Sequence, residues 1–533
     1  MRVLKAGVPI SLLRILAAVL STACGYSEAR EIETGTELKL RWDNTLKYTA
    51  AWRVQDRSPS LLVNANTDDG NRNFDQGGLI SNRLDILSEL DVTYKNFGAR
   101  VSGAAWYDAV YHHSNDNDSP ATANAFSVPH NEFTDATRRL HGQKAELLDA
   151  FVFANGDLGG VPANARAGKH TLLWGESLLL ADNGISYGQA PLDAIKGLSV
   201  PATQAKELFM PVGQVSGQLR PTPALSFAAY YQYDWRKTRI PEAGSYFSSA
   251  DLLDDAGERL FVAAPATAFF RGDDLDASDS GQWGVSTRYS APAIDTDFGF
   301  YYLRFHDKVP KIYLRPGANA DLSVGKIGEY ALVYPQNIRA IGASFATTFE
   351  NVSVAGEVHA RRNMPLASLA QVATPSADND DNPLYAVGNT LHAQVSAVYV
   401  GSSTRLWDSA TILGEVGWQK ATSITKNQAA FDPSRERDAY GLRVLFTPTY
   451  FQVWPGVDLS VPMSVGYNPK GRSPIAGFNG GVDKGGTMSL GLSADYRKTW
   501  LAGVTYTRFY GDVESFQSLK DRDFVSLSVQ RTY

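Results

Sequence analysis

Cysteine is nearly absent from this sequence, since Cys24 is the only one among 533 residues. Long apolar runs are also missing: beyond the N-terminal segment, no stretch reaches the roughly 18 apolar residues that a transmembrane helix needs. A dense basic patch is missing as well, and the formal net charge is -6. These absences argue against a disulfide framework, a helical membrane protein and a nucleic-acid partner.

The N-terminus has the charge pattern of a secretory signal peptide. Arg2 and Lys5 precede an apolar run over 10–20 that is too short to cross a bilayer as a helix. We expect residues 1–29 to be removed after Ala29, which would leave a mature chain, 30–533, without cysteine. Lipid attachment at Cys24 is the alternative, and the spacing of the residues before it fits a lipoprotein signal poorly.

Strict alternation of apolar and polar residues is the strongest pattern in the chain. Over 38–54 the even positions are mostly apolar and the odd positions mostly polar or charged, and the pattern recurs over 225–236, 352–359 and 488–497. Successive side chains of a strand point to opposite faces, so each segment predicts a strand with one apolar face. Because such long strands with a lipid face and a polar face are typical of outer-membrane barrels, we predict an all-β, transmembrane antiparallel β-barrel; a soluble sandwich or propeller is the alternative.

The number of segments with this pattern predicts about eighteen strands, and sixteen stays open because several alternate poorly. Short and long connections take turns along the chain, as in barrels with both termini in the periplasm. The predicted strands are 37–54, 80–95, 98–111, 143–154, 164–175, 212–220, 224–238, 281–290, 297–307, 329–349, 352–362, 390–400, 409–420, 438–448, 457–467, 486–497, 499–510 and 524–533.

One long connection, 176–211, is too apolar for bulk water. We predict that it folds into the lumen as a constriction and forms short helices over 191–196 and 202–209; a lid over the barrel mouth is the alternative. The lumen of such a barrel also needs charged residues that satisfy one another across neighbouring strands. The candidate pore and constriction residues are Trp174, Glu176, Tyr187, Lys206, Glu207, Phe209, Arg239, Arg41, Arg83 and Asp85.

Catalytic, cofactor-binding and metal-ligating residues are not expected. The chain has no G-x-S-x-G motif, and the acidic segments 112–118 and 378–381 match no known ligand spacing, so we interpret them as solvated loops.

Four segments carry a family resemblance: "GKHTLLWGES", "AKELFMPVGQVSGQL", "YYQYDWRKTRIPEAGSYFSSADLL" and "YALVYPQNIRAIGASF". Through these segments, whose strongest points include Pro211, Ser248 and Asp251, the chain resembles the proteobacterial family catalogued as domain of unknown function 1302. The resemblance covers nearly the whole mature chain. It implies an outer-membrane barrel encoded near exporters, lipoproteins and catabolic enzymes for hydrophobic compounds, and it leaves the cargo open.

Three functions follow as alternatives. The preferred one is a channel or substrate-selective porin in the cell outer membrane that passes a small hydrophobic or amphipathic solute. The second is a non-conducting component that docks a periplasmic lipoprotein or exporter, and the third is an outer-membrane enzyme. In each case the expected partners include outer-membrane lipid and the barrel-assembly machinery, which reads a C-terminal strand ending in an aromatic residue such as Tyr533.

Overall fold

The structure is a computed structural model that describes residues 30–33, 37–200, 205–475, 477–512 and 515–533. The predicted signal peptide, 1–29, and Cys24 lie outside the described residues.

An antiparallel sheet closed on itself forms the body of the molecule. Its first nine wall strands are β2 (Leu38–Arg53), β3 (Leu79–Tyr94), β4 (Phe97–Asp108), β5 (Gln143–Leu158), β6 (Val161–His170), β7 (Val212–Thr222), β8 (Leu225–Gln232), β11 (Gln282–Ala291) and β12 (Thr296–Phe305). The others are β15 (Ile338–Phe349), β16 (Val352–Pro365), β18 (Val387–Gly401), β19 (Ser409–Lys426), β20 (Asp438–Trp454), β21 with β22 (Val457–Ser460 and Met463–Asn468), β23 (Gly485–Tyr496), β24 (Trp500–Tyr510) and β25 (Phe524–Thr532).

The wall has eighteen strand positions among the described residues. The segments β21 and β22 count as one interrupted strand, because both lie between β20 and β23. The barrel closes where β25 pairs with β2 from Thr45 to Arg53. The short strand β1 (Arg30–Glu33) pairs with β2 over Lys39–Trp42, beyond the end of β25. The predicted transmembrane β-barrel and its strand number are therefore confirmed, and the sixteen-strand alternative is wrong.

The connections alternate strictly in length. Short turns join the wall strands at 95–96, 159–160, 223–224, 292–295, 350–351, 402–408, 455–456 and 497–499. Long connections lie at the opposite end, at 54–78, 109–142, 171–211, 233–281, 306–337, 366–386, 427–437, 469–484 and 511–523. We call these the turn end and the loop end of the barrel.

The two faces of the wall differ as the alternation predicts. Large apolar side chains point outward and are exposed, among them Ile86, Val358 and Val395. Their neighbours Glu357 and Gln394 point inward and are buried. This arrangement places the apolar face against lipid and leaves the backbone hydrogen-bonded within the closed sheet.

A second, five-stranded sheet lies in the loop-end connections and was not predicted. It consists of β9 (Arg259–Ala263), β10 (Thr267–Arg271), β13 (Lys311–Asp321), β14 (Lys326–Val333) and β17 (Gln371–Val372). The prediction of one strand over 329–349 is wrong, because β14 belongs to this sheet and only β15 belongs to the barrel wall. The apolar run 330–334 suits both sheets, so alternation alone could not separate them.

The helices are short. Four are α-helical: α1 (Asp69–Arg72), α2 (Asp135–Thr137), α3 (Ala194–Ser199) and α4 (Ala205–Leu208). The remaining turns of helix are Pro59–Leu61, Ala109–His112, Arg138–Gly142, Ile185–Gly188, Pro292–Ile294, Leu322–Val324, Gln428–Ala430 and Phe478–Gly481. Among the described residues, no helix is long and apolar enough to cross a membrane.

Adjacent residues on β3 test the assignment of the two faces. Ile86 lies in the middle of β3 and is 46% exposed on the outer face, whereas Leu87 points into the lumen. A charge near the bilayer midplane of a barrel costs about 2–4 kcal/mol. We expect Ile86→Arg to lower the free energy of unfolding in liposomes by that amount, and Leu87→Arg to lower it much less. Equal losses in urea titrations of the two variants would contradict the assignment.

Candidate functional site in the barrel lumen

The connection after β6 crosses the lumen and is held on the far wall by a carboxylate. Glu357 of β16 accepts hydrogen bonds from the backbone N–H of Glu176, at 2.7 Å, and from that of Ile185, at 2.8 Å. The strands β6 and β16 lie six positions apart in the eighteen-strand wall. These contacts place the described part of the connection against the far wall, and the constriction of the pore by 176–211 stays a prediction.

Glu415 of β19 holds the next residues of the same connection. Its carboxylate accepts from the backbone N–H groups of Leu178, Leu179 and Leu180, with N–O distances of 3.1, 2.5 and 2.7 Å. Backbone N–H groups away from water need partners, and a chain without regular structure cannot supply them itself. We call Glu357 and Glu415 the carboxylate seat.

Polar groups of the neighbouring strands complete the attachment. The Asn183 amide donates to Gln394 Oε1 at 3.1 Å, and its oxygen lies 3.0 Å from His392 Nδ1. The Arg361 guanidinium donates to the Gly184 carbonyl at 2.9 Å and lies 4.7 Å from the centre of the Tyr187 ring.

Three of the predicted residues, Trp174, Glu176 and Tyr187, contact side chains outside the segment. The Trp174 ring lies 5.1 Å from the Tyr230 ring, and Glu176 accepts from Arg288 at 2.5 Å. The Tyr187 hydroxyl donates to Asp307 at 2.5 Å. Burial, followed by the charge of Asp307, raises the pKa of Tyr187 well above its usual value, so this hydroxyl remains a donor.

A second group of predicted residues meets on the opposite side of the segment, at Trp106 of β4. The Arg83 and Arg239 guanidinium groups lie 4.6 and 5.6 Å from the centre of its ring. Arg83 is paired with Asp85 at 2.6 Å. Arg239 is paired with Glu146 at 2.6 Å. We call Arg83, Trp106, Glu146 and Arg239 the basic wall.

Arg239 also joins the basic wall to the inward segment. It pairs with Asp193 at 2.7 Å, and Asp193 in turn accepts from the backbone N–H of Lys196 at the start of α3. The carboxylate of Asp193 therefore holds both the start of α3 and the guanidinium group of Arg239.

The remaining candidates are scattered. Phe209 is buried with Ala181, Ala190 and Leu192 within the segment. Glu207 is exposed, 4.0 Å from the Lys196 ammonium, and the side chain of Lys206 lies outside the described part of the chain. Arg41 pairs with Asp43, and its side chain is 64% exposed. This ion pair lies within the strand β2 and does not reach the segment.

A cavity of about 380 Å³ lies between the inward segment, the connection 233–281 and the wall formed by β20, β22, β23 and β24. Most of its apolar lining comes from these two connections, and most of its polar lining comes from the wall. The apolar side chains include Leu179, Leu198, Leu208, Ile240, Phe247 and Leu253, and the polar ones include Arg443, Ser464, Thr487 and Thr507.

The most important contacts of the site were not predicted. Glu357 was recognised only as a polar position of its strand, and Glu415, Trp106 and Glu146 were not singled out. A lone carboxylate on the lumen face of a mostly apolar or small-residue strand is a usable signal, because a buried charge needs a specific partner.

Comparisons with known proteins identify one family. The family described as "Protein of unknown function (DUF1302)" matches residues 10–533. No curated protein matches the chain.

Three solved structures illustrate the likeness. The structure of Pseudomonas aeruginosa OpdK with vanillate is 12% identical, covers 93% of this chain and 98% of that one, and has a TM-score of 0.41. Acinetobacter baumannii OccAB2 is 9% identical, with coverage of 93% and 98% and a TM-score of 0.44. The outer membrane channel DcaP of the same organism is 9% identical, with coverage of 96% and 99% and a TM-score of 0.38.

The carboxylate seat predicts how the segment can be released. Glu415→Ala would leave three backbone N–H groups without their acceptor, and each such group costs about 1–3 kcal/mol if it stays buried. We expect the barrel to remain folded while the segment 176–211 becomes accessible to protease in liposomes. Glu350→Ala, which changes an exposed carboxylate at the turn end, is the control. Unchanged cleavage in the Glu415 variant would show that the seat does not hold the segment.

Proposed function

This chain belongs to the family described as "Protein of unknown function (DUF1302)", and we propose that it is a channel of the cell outer membrane for a small hydrophobic or amphipathic molecule. In this proposal the turn end faces the periplasm, in keeping with the alternation of short and long connections. The inward segment 176–211 narrows the lumen.

The observation that carries the proposal is a cavity inside the barrel that is lined by apolar side chains together with a few polar groups. Leu198 and Leu208 of the segment and Ile240 of the neighbouring connection supply apolar surface, whereas Arg443 and Thr487 supply polar groups from the wall. Ligand sites commonly combine an apolar lining with a few polar groups that orient the ligand. A volume of about 380 Å³ suits a small molecule rather than a peptide chain or lipid.

A basic residue in the lining supports an amphipathic solute in particular. Arg443 lines the cavity itself, whereas Arg239, next to the lining residue Ile240, is already paired with Glu146 and Asp193. A solute with an apolar body and an acidic group would therefore meet both an apolar surface and the guanidinium group of Arg443.

Replacing 180–206 with a short Gly-Ser linker tests the constriction. The wall strands do not include these residues, so we expect the barrel to form. Without the obstruction, single-channel conductance in planar bilayers should rise and discrimination between solutes should fall. The proposal is falsified if the variant folds, as judged by heat-modifiable migration, and its conductance equals that of the parent. A parent that never conducts would favour a docking role instead.

Leu208→Asp tests the cavity separately from the constriction. A carboxylate in an apolar lining disfavours apolar ligands, because its desolvation is costly. We expect slower uptake of a small aromatic acid by proteoliposomes and little change in the conductance of chloride salts. Leu62→Asp, in the connection 54–78 and outside the cavity lining, is the matched control. Equal uptake by the parent and both variants would show that the solute does not pass through the cavity.

A further inference from the structure

Three buried aspartates from two different connections meet at the loop end of the barrel. Asp68 and Asp69 belong to the connection 54–78, and Asp251 belongs to the connection 233–281. All three are buried, with exposures of 0%, 5% and 0%. One oxygen of each carboxylate lies within 4.8 Å of one oxygen of each of the others.

This spacing fits a shared cation. Calcium binds oxygen ligands at about 2.3–2.6 Å, so two ligand atoms of one ion can lie up to about 5 Å apart. The three carboxylate oxygens satisfy that limit pairwise. The group contains only oxygen ligands, which favours calcium or magnesium over zinc.

Two of the carboxylate oxygens are buried without a hydrogen-bond partner. Asp68 accepts from Arg72 with Oδ2, and Asp251 accepts from the backbone N–H of Asp69 with Oδ2 at 3.0 Å. The Oδ1 atoms of Asp68 and Asp251 have no partner among the described residues. Buried carboxylate oxygens are rarely left in this state, so each points to a ligand that completes its environment.

Both oxygens of the third carboxylate are already engaged in single hydrogen bonds. Asp69 Oδ2 accepts from the backbone N–H of Asn124 at 2.7 Å, and Oδ1 accepts from the Asn117 amide at 3.2 Å. A carboxylate oxygen has two lone pairs, so either atom can still bind a cation.

Only one carboxylate of the group forms an ion pair in the described part of the chain. Arg72 pairs with Asp68 at 2.5 Å, whereas no ion pair to Asp69 or Asp251 forms within 4.0 Å among these residues. Arg522 is buried close to the group, and its Nη1 donates to the carbonyls of Tyr246 and Ser248 rather than to a carboxylate. Asp69 and Asp251 therefore lack a direct cationic partner, which a divalent cation would supply.

Protons are the alternative partner of these carboxylates. Burial raises the pKa of Asp251 to about 7, and burial together with the charge of Asp251 raises the pKa of Asp69 well above its usual value. Cation binding is therefore to be measured in alkaline solution, because carboxylate ligands bind a metal in their ionised form.

We propose that Asp68, Asp69 and Asp251 bind one calcium ion that clamps the connection 54–78 to the connection 233–281. The close approach of the two connections supports a clamp: a Cβ added at Gly70 would lie 2.6 Å from the Ser245 carbonyl oxygen. The site is distinct from the lumen cavity and does not depend on transport.

Calcium titration of the full-length protein in detergent tests the site. After removal of metal with EDTA, isothermal titration calorimetry with calcium chloride at pH 8 should show one saturable site. Asp251→Asn keeps the shape of the side chain and should weaken binding by roughly tenfold or more, because affinity depends on ligand charge. Asp381→Asn, in an exposed acidic loop, should bind like the parent. Absence of saturable binding by the parent would overturn the proposal, as would equal binding by the parent and Asp251→Asn.

Thermal unfolding gives a second readout. Calcium should raise the unfolding midpoint of the parent at pH 8, because binding to the folded state stabilises it, and should raise that of Asp251→Asn much less. An equal shift in the parent and in Asp251→Asn would overturn the site. Neither measurement involves conductance, so failure of this proposal is distinguishable from failure of the proposed channel.

Discussion

Closure of the sheet between β25 and β2 is the constraint on which the rest of the structure depends. In lipid no water is available to the backbone, so every wall strand needs a partner on both sides. The pairing from Thr45 to Arg53 supplies the last of these partners. Closure also fixes the inner and outer faces, because a strand shifted by one residue would turn its apolar side chains into the lumen. The lumen can therefore carry charged groups such as Glu357 and Glu415 at positions where lipid would exclude them.

The carboxylate seat solves the same backbone problem inside the barrel. A connection without regular structure brings unpaired N–H groups into the lumen, and two carboxylates accept five of them. Each acceptor belongs to the rigid wall and carries a full charge, which strengthens its hydrogen bonds to the segment. Arg239 and Asp193 fasten the opposite side of the segment. The segment is thus attached to two walls of the barrel, which gives the cavity a defined boundary.

Much of the wall was predictable from the sequence, because period-two alternation directly reports a strand with two different faces. The apolar content of 176–211 also predicted a place away from bulk water, and its residues Ile185 and Tyr187 are buried. The site was less accessible to prediction. Glu415 contacts residues more than 230 positions away, and no local pattern reports such a contact. The prediction of one strand over 329–349 was wrong because β14 and β15 are both rich in apolar residues, although they belong to different sheets. The meeting of Asp68 with Asp251 depends on how two long connections cross, which alternation does not describe.

The proposed cation site and the cavity are linked through one connection. Asp251 lies between Ala250 and Leu253, and both of these residues line the cavity. The seat fixes the wall of the cavity that belongs to the inward segment. Ile240 follows Arg239, which pairs with Asp193 of that segment, whereas Phe247 and Leu253 lie further along the connection 233–281. This further part is attached at Asp251, which accepts from the backbone N–H of Asp69 in the connection 54–78. A change at the loop end that loosens Asp251 would therefore alter the apolar lining without touching the seat. The apolar lining of the cavity and the position of the inward segment therefore depend on different residues.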